Sequence, residues 1–155
     1  MDKTKILKAV IAELEEDLRR KLAAQEAAAE GATHTEAKAE TKWDTCGLEQ
    51  SYLARGHAQQ FELLVQQVEE LRAFNCPAFN GKAIGPGALV ETEMAGEKML
   101  FILLHCGGGI EVQAGGSEVT VITPESPVGA ALLDKIQGAT YSFRTGVEGI
   151  IAHVE

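Results

Sequence analysis

Val119–Phe143 reads VTVITPESPVGAALLDKIQGATYSF, strand-like at both ends with two prolines and a run of small residues between them. VTVI and TYSF are rich in the β-branched and aromatic residues that suit a pleated, half-buried surface. Between them Ser126 can cap a helix and Pro127 fits its first position, where no amide hydrogen bond is lost. Ala130, Leu133 and Ile136 fall on one face of the expected helix, and Gly138 is placed to stop it. A strand, a corner, one short helix and a returning strand are the parts of a small sheet folded against a helix.

The surrounding sequence supplies the rest of that sheet. From Ala88 onward ALVETEM, KMLFILLHC, GIEVQ, SEVTVIT, TYSFRT and GIIAHV are short apolar runs separated by glycines, each the length of a strand. The order predicts an α+β head over residues 88–155, in which an antiparallel sheet wraps one face around the single helix. Ahead of it, NCPAFNGKAIGPGA concentrates Gly, Pro and Asn and reads as a linker over residues 75–87.

Residues 1–74 have another texture. Lys3 to Glu30 are rich in Ala, Leu, Glu, Lys, Arg and Gln with no Gly or Pro, a composition of strong helix formers. Leu7, Ile11, Leu14, Leu18 and Leu22 recur along one stripe, with acids and bases on the other faces. A second stripe runs through Leu48, Tyr52, Leu53, Phe61, Leu64, Val65, Val68 and Leu71. The hydrophobic period lapses between them, so the expectation is an antiparallel coiled-coil hairpin about 40 Å long at 1.5 Å per residue, its tip near residues 31–47. The same periodicity suits an ordinary two-helix core or a dimerising coiled coil, and it leaves the oligomeric state open.

Charge and cysteine content narrow the functional classes. With 155 residues and a net charge of -9, the chain lacks the clustered Lys and Arg that bind phosphates directly. Any work near nucleic acid must lean on another molecule to hold it. No apolar run approaches the roughly 20 residues needed to span a bilayer, and the acidic N-terminus does not read as a signal peptide, so a cytoplasmic location is expected. Cys46, Cys76 and Cys106 are odd in number and widely spaced, which suits reduced thiols rather than a disulfide framework. His105 and Cys106 are sequence neighbours that a strand would turn to opposite faces, a poor start for a zinc site.

Val119 to Ile122, then Thr123, Pro124, Glu125, Ser126 and Pro127, then Ala131, Leu132 and Leu133, Lys135, Gly138 and the strand Tyr141 to Phe143 follow a recognisable order. This order resembles the C-terminal FKBP-like domain of the Gre-type bacterial transcription elongation factors, whose pattern is a strand, Ser or Thr-Pro-x-Ser-Pro, a helix with Ala-Leu-Leu, a Lys, a Gly and a closing strand. Asp134 stands where that family usually has Gly, and Ala139 where it usually has Asp. The resemblance extends into the helical half. The family's ascending helix ends in Gly-Asp-Leu-x-Glu-Asn-x-x-Tyr, with Gln-Gly-Phe-Ile seven residues after that Tyr; here Trp43 is followed seven residues later by Gln50, Ser51, Tyr52 and Leu53. On that register the family's tip Asp falls on Glu36 and its tip Glu on Ala39, one position before Glu40. The regulators of nucleoside diphosphate kinase share the C-terminal domain but carry a much shorter helical hairpin.

The resemblance implies a factor that docks on RNA polymerase at its secondary channel, with Ser126 and Pro127 on the docking loop, and passes the hairpin inward. It implies no catalytic centre of the chain's own and no cofactor bound in isolation. Glu36, Glu40 and Asp44 would be the hairpin-tip acids acting in the polymerase active site, with Glu36 and Glu40 sharing a Mg²⁺ there only in the complex. Nascent RNA is then met only indirectly. Oxygen ligands suit Mg²⁺, and two metals together can stabilise the attacking and leaving oxygens as backtracked RNA is cut. Their spacing of four residues would align the three acids on one helical face, although acids in a polar connector are also ordinary solvated surface, and Asp44 could cap the second helix. His34 would lie in water near them, and Trp43 would pack on the hairpin. Two alternatives accompany this expectation. One is a regulator that occupies the channel without stimulating cleavage, suggested by Ala39; the other is a peptidyl-prolyl isomerase, for which Phe79, Phe101, Tyr141 and Phe143 are a meagre aromatic lining.

Overall fold

A computed structural model describes the backbone of residues 2–33 and 46–155, with side chains described for 2–28 and 55–155. Two helices, α1 (Lys3–Thr33) and α2 (Cys46–Ala73), precede strands β1 (Leu89–Met94), β2 (Glu97–Leu103), β3 (Glu111–Ala114) and β4 (Ser117–Ile122). Helix α3 (Pro127–Leu132) and strands β5 (Thr140–Arg144) and β6 (Val147–Val154) complete an α+β chain. It divides into two compact units, one of Met1–Glu13 with Leu71–Glu155 and the other of Leu14–Glu70.

Helix α1 begins at Asp2, whose Oδ1 accepts the amides of Thr4 at 3.1 Å and Lys5 at 3.4 Å and so satisfies two of the helix's orphan donors. Its exposed face carries the pairs Arg19–Glu16 at 2.8 Å and Lys21–Asp17 at 3.1 Å. The expected stripe is only partly the buried one. Leu7 and Leu14 are buried, but so are Ile6 and Val10, which the four-three pattern omits, while Leu22 is 42% exposed. Ile6 and Val10 lie in the segment that belongs to the sheet's compact unit, which explains a wider apolar arc there than a single partner helix needs. On α2, Leu64, Val68 and Leu71 are buried at the expected four-three spacing.

All six expected strands are present, in one sheet of order β3-β4-β2-β1-β6-β5. The sheet is mixed rather than wholly antiparallel. β2 and β4 run parallel, with Phe101 beside Thr120 and Leu103 beside Ile122, whereas the other neighbours are antiparallel. The reason is topological: β3 turns back on β4 as an edge hairpin, so β4 reaches β2 after two reversals and arrives in β2's own direction. That hairpin turns at Gly115 and Gly116, both with positive φ of 61° and 82°, as a two-residue turn between twisted strands requires.

The core between the sheet and α3 contains Val90, Met94, Phe101, Leu103, Ile122, Leu132, Tyr141 and Ile151. Phe79 and Ile84, from the segment whose composition reads as a linker, are buried in the same core. Ile84 is clipped there by backbone bonds, its amide donating to Lys135 O at 2.8 Å and its carbonyl accepting from Asp134 N at 3.0 Å. Thr92 is fully buried on the central strand, and its hydroxyl accepts from Tyr141 Oη at 3.0 Å. That bond keeps two buried hydroxyls from being left without a partner in the core.

Candidate functional site

The corner between β4 and α3 is held by one serine. Ser126 has extended backbone (φ -71°, ψ 149°), and its Oγ accepts the Gly129 amide at 3.1 Å while donating to Thr123 O at 2.7 Å. Pro127 follows in the first turn, as expected. Ser126 is therefore committed to internal bonds, and Pro127, with its exposed ring, is the member of the pair turned to solvent.

Gly129 makes the corner tight. A Cβ at this position would lie 1.9 Å from Thr123 O and 2.9 Å from Ser126 Oγ, so the helix can approach the end of β4 only where the side chain is absent. The sequence pattern passes over this residue.

The far end of the helix departs from expectation. α3 stops at Leu132 rather than running to Gly138, and Leu132, not the Ala130–Leu133–Ile136 face, supplies its fully buried side chain; Ile136 is 54% exposed. The chain leaves helical geometry at Leu133 (φ -53°, ψ 139°), and Asp134 follows at φ +62° with its amide in the backbone clip to Ile84. Left-handed geometry disfavours L side chains, and Asp is among the few that tolerate it. The position where the sequence pattern calls for Gly is thus one where the backbone is left-handed. Gly138, also at positive φ (86°), instead donates its amide to Ile151 O at 2.8 Å.

Beside the corner an open groove of about 430 Å³ is lined by Phe101, Ile122, Pro127, Val128, Phe143 and Arg144 among others. Arg144 lies 5.7 Å from the Phe143 ring centroid, a cation at the end of an otherwise apolar trough. Phe143 stacks on Tyr141 at 6.3 Å. Phe79 and Tyr141 are buried in the core, so two of the four aromatics weighed for an isomerase pocket line no part of this groove. A larger cleft of about 710 Å³ over the strands is lined by Glu91, Lys98, Met99, Glu118 and His153 among others, with Lys98 Nζ 3.3 Å from Glu91 Oε1.

Glu36, Glu40 and Asp44, with His34, Ala39 and Trp43, lie outside the described residues. Among the described residues no three His, Cys, Asp or Glu side chains are grouped to hold a metal ion. β2 ends at Leu103, so His105 and Cys106 lie in the bend after it rather than in a strand; His105 is exposed and meets Phe74 edge to face at 6.0 Å, while Cys106 is buried. No described helix is long and apolar enough to cross a membrane.

No family model and no curated protein matches the chain. Solved structures align with 96% of it, among them the following three. The crystal structure of GreA factor homolog 1 (Gfh1) of Thermus thermophilus aligns over 96% of its own length at 20% identity and a TM-score of 0.39. A structure of the transcription factor Gfh1 aligns over 94% of its length at 23% identity and 0.40, and Thermus aquaticus Gfh1 over 95% at 20% identity and 0.40.

Proposed function

We propose that this chain is a Gre-like transcription factor that binds RNA polymerase through its α+β head and presents the acids of residues 34–45 to the polymerase active centre. The observation that carries this reading is the β4–α3 corner. The residues that resemble the Gre pattern, from Thr123 to Asp134, are those with the most constrained roles in the corner: a capping Ser126, Pro127 in the first turn and a left-handed Asp134 where the pattern has Gly. A net charge of -9 agrees with a factor whose affinity comes from a protein partner rather than from RNA.

In this reading Pro127 and the adjoining groove meet the polymerase, and Ser126 holds the loop in shape. Glu36 and Glu40 offer oxygen ligands to a Mg²⁺ held in the polymerase centre, so the cleavage chemistry belongs to the polymerase. Ala39, at the position of the family's tip Glu, favours a second version in which the factor occupies the channel without stimulating cleavage. One residue along a helix turns a side chain by about 100°, and catalytic placement is demanding at the ångström level.

Co-sedimentation with a bacterial RNA polymerase tests binding, and release of short RNA 3′ fragments from backtracked complexes tests cleavage. Binding with fragment release that Glu36→Ala or Glu40→Ala abolishes supports the cleavage factor. Binding without release, accompanied by inhibition of an active cleavage factor, supports the channel-occupying regulator. Absence of binding removes both. Pro127→Arg is expected to weaken binding while the head stays folded, because the first helical turn tolerates most residues there.

A further inference from the structure

Three backbone oxygens from distant parts of the chain converge on one amine. Lys3 Nζ donates to Pro77 O, to Gly87 O at 3.3 Å and to Glu155 O at 3.0 Å, and it lies 5.3 Å from the centroid of the Phe79 ring. The residues involved all belong to one compact unit. An ammonium has three N–H donors and no acceptor, so it can satisfy three carbonyls at once, whereas a neutral amine has two N–H bonds and a lone pair that a carbonyl oxygen repels. The aromatic face adds attraction for the same cation.

The oxygens are held by bonds that do not involve the lysine. The Glu155 amide and backbone oxygen pair with Leu89 at 2.9 and 3.0 Å, and the Gly87 amide donates to Leu103 O at 2.7 Å. Gly87 sits at φ +90°, and a Cβ there would lie 2.7 Å from Pro77 Cδ and 3.2 Å from the Phe74 ring. Only glycine lets the two loop segments approach so closely, and that approach brings their carbonyls together. Burial and the neighbouring charges act in opposite directions. Burial pulls the Lys3 amine below its ordinary range, while Cys76 and the Glu155 carboxylate oppose that pull.

We infer that the head contains a preformed binding site for a primary alkylammonium, made of the Pro77 and Gly87 carbonyls, the Glu155 backbone oxygen and the Phe79 ring, and that Lys3 is its tethered occupant. The site owes nothing to a role in transcription. It fastens the start of α1 to the sheet's unit, and vacating it creates a receptor for a free ligand of the same chemistry.

The test uses the full chain with Lys3→Ala, which removes the cation and vacates the site. Its thermal midpoint is expected to fall by about 2–6 °C, the effect of losing the charge-assisted bonds that a partly buried ammonium makes to these oxygens. Ethylammonium chloride should restore much of that loss, and tetramethylammonium chloride at equal ionic strength should not, because it has no N–H. The two salts should act alike on the unsubstituted chain. An unchanged midpoint in Lys3→Ala, or equal restoration by both salts, overturns the proposal. Should Lys3→Ala fail to fold, the ¹⁵N resonance of Lys3 Nζ in the unsubstituted chain decides. Slowly exchanging ammonium protons coupled to backbone carbonyls support the site, and fast exchange without coupling overturns it. None of these readouts involves polymerase.

Discussion

Leu14–Glu70 and the sheet's unit bury their apolar residues in different ways. Among the described residues of Leu14–Glu70, Leu14, Leu64 and Val68 alone are buried hydrophobics, while Leu22 and Leu63 are exposed among charged and polar side chains. In the sheet's unit, side chains from five of the six strands, α3 and the segment before β1 meet in one core. A helical stripe is read from spacing because each residue's direction follows from its number in the chain. A core of the second kind depends on which distant segments approach one another, and single glycines and hydroxyls there decide whether the approach is possible. The two regions should therefore respond differently to small changes.

The largest contrast is expected between two leucine truncations. Leu132→Ala, at a fully buried position, should destabilise the head by about 2–5 kcal/mol, read by urea unfolding through Tyr141. Leu64→Ala, 8% exposed in a sparse stripe that can close over the loss, should cost clearly less. Equal costs would mean that the stripe is packed as tightly as the core.

Gly129→Ala sharpens the comparison by setting local preference against tertiary contact. Helix propensity alone favours alanine by about 1 kcal/mol. The 1.9 Å approach of a Cβ to Thr123 O requires the corner to open, and the net result should be a loss of about 2–4 kcal/mol in head stability. A gain in stability would show that the corner yields easily.

A smaller effect should come from the buried hydroxyl pair. Tyr141→Phe leaves the Thr92 hydroxyl without its partner, at a cost of about 1–2 kcal/mol. Adding Thr92→Val should recover part of that cost, since removing both polar groups is gentler than orphaning one. A double-mutant cycle with no coupling would break this account.

Smallest, and opposite in sign, is Asp134→Gly. Relief of the left-handed strain at φ +62° competes with the greater freedom of glycine in the unfolded chain, and a gain of no more than about 1 kcal/mol is expected. Asp134→Val at the same position should destabilise the head, because a β-branched side chain is poorly tolerated there. Thermal unfolding of the two variants measures the difference directly.

The sequence by itself determined the kinds of element and their order. Two polar helices with apolar stripes, six short strands and one helix opened by Ser126 and Pro127 could all be placed, because period, capping and turn chemistry are local properties of the chain. Half of the corner was legible for the same reason: the cap and the proline announce themselves, while Gly129 looks like a weak helix residue until Thr123 O is found against it. Tertiary structure alone decided the rest. It set β2 and β4 parallel, ended α3 at Leu132 by clipping Asp134 and Lys135 to Ile84, widened the buried face of α1 to include Ile6 and Val10, and gathered three backbone oxygens around Lys3. Each of these depends on contact between segments far apart in sequence, and no local period encodes which distant backbone will arrive.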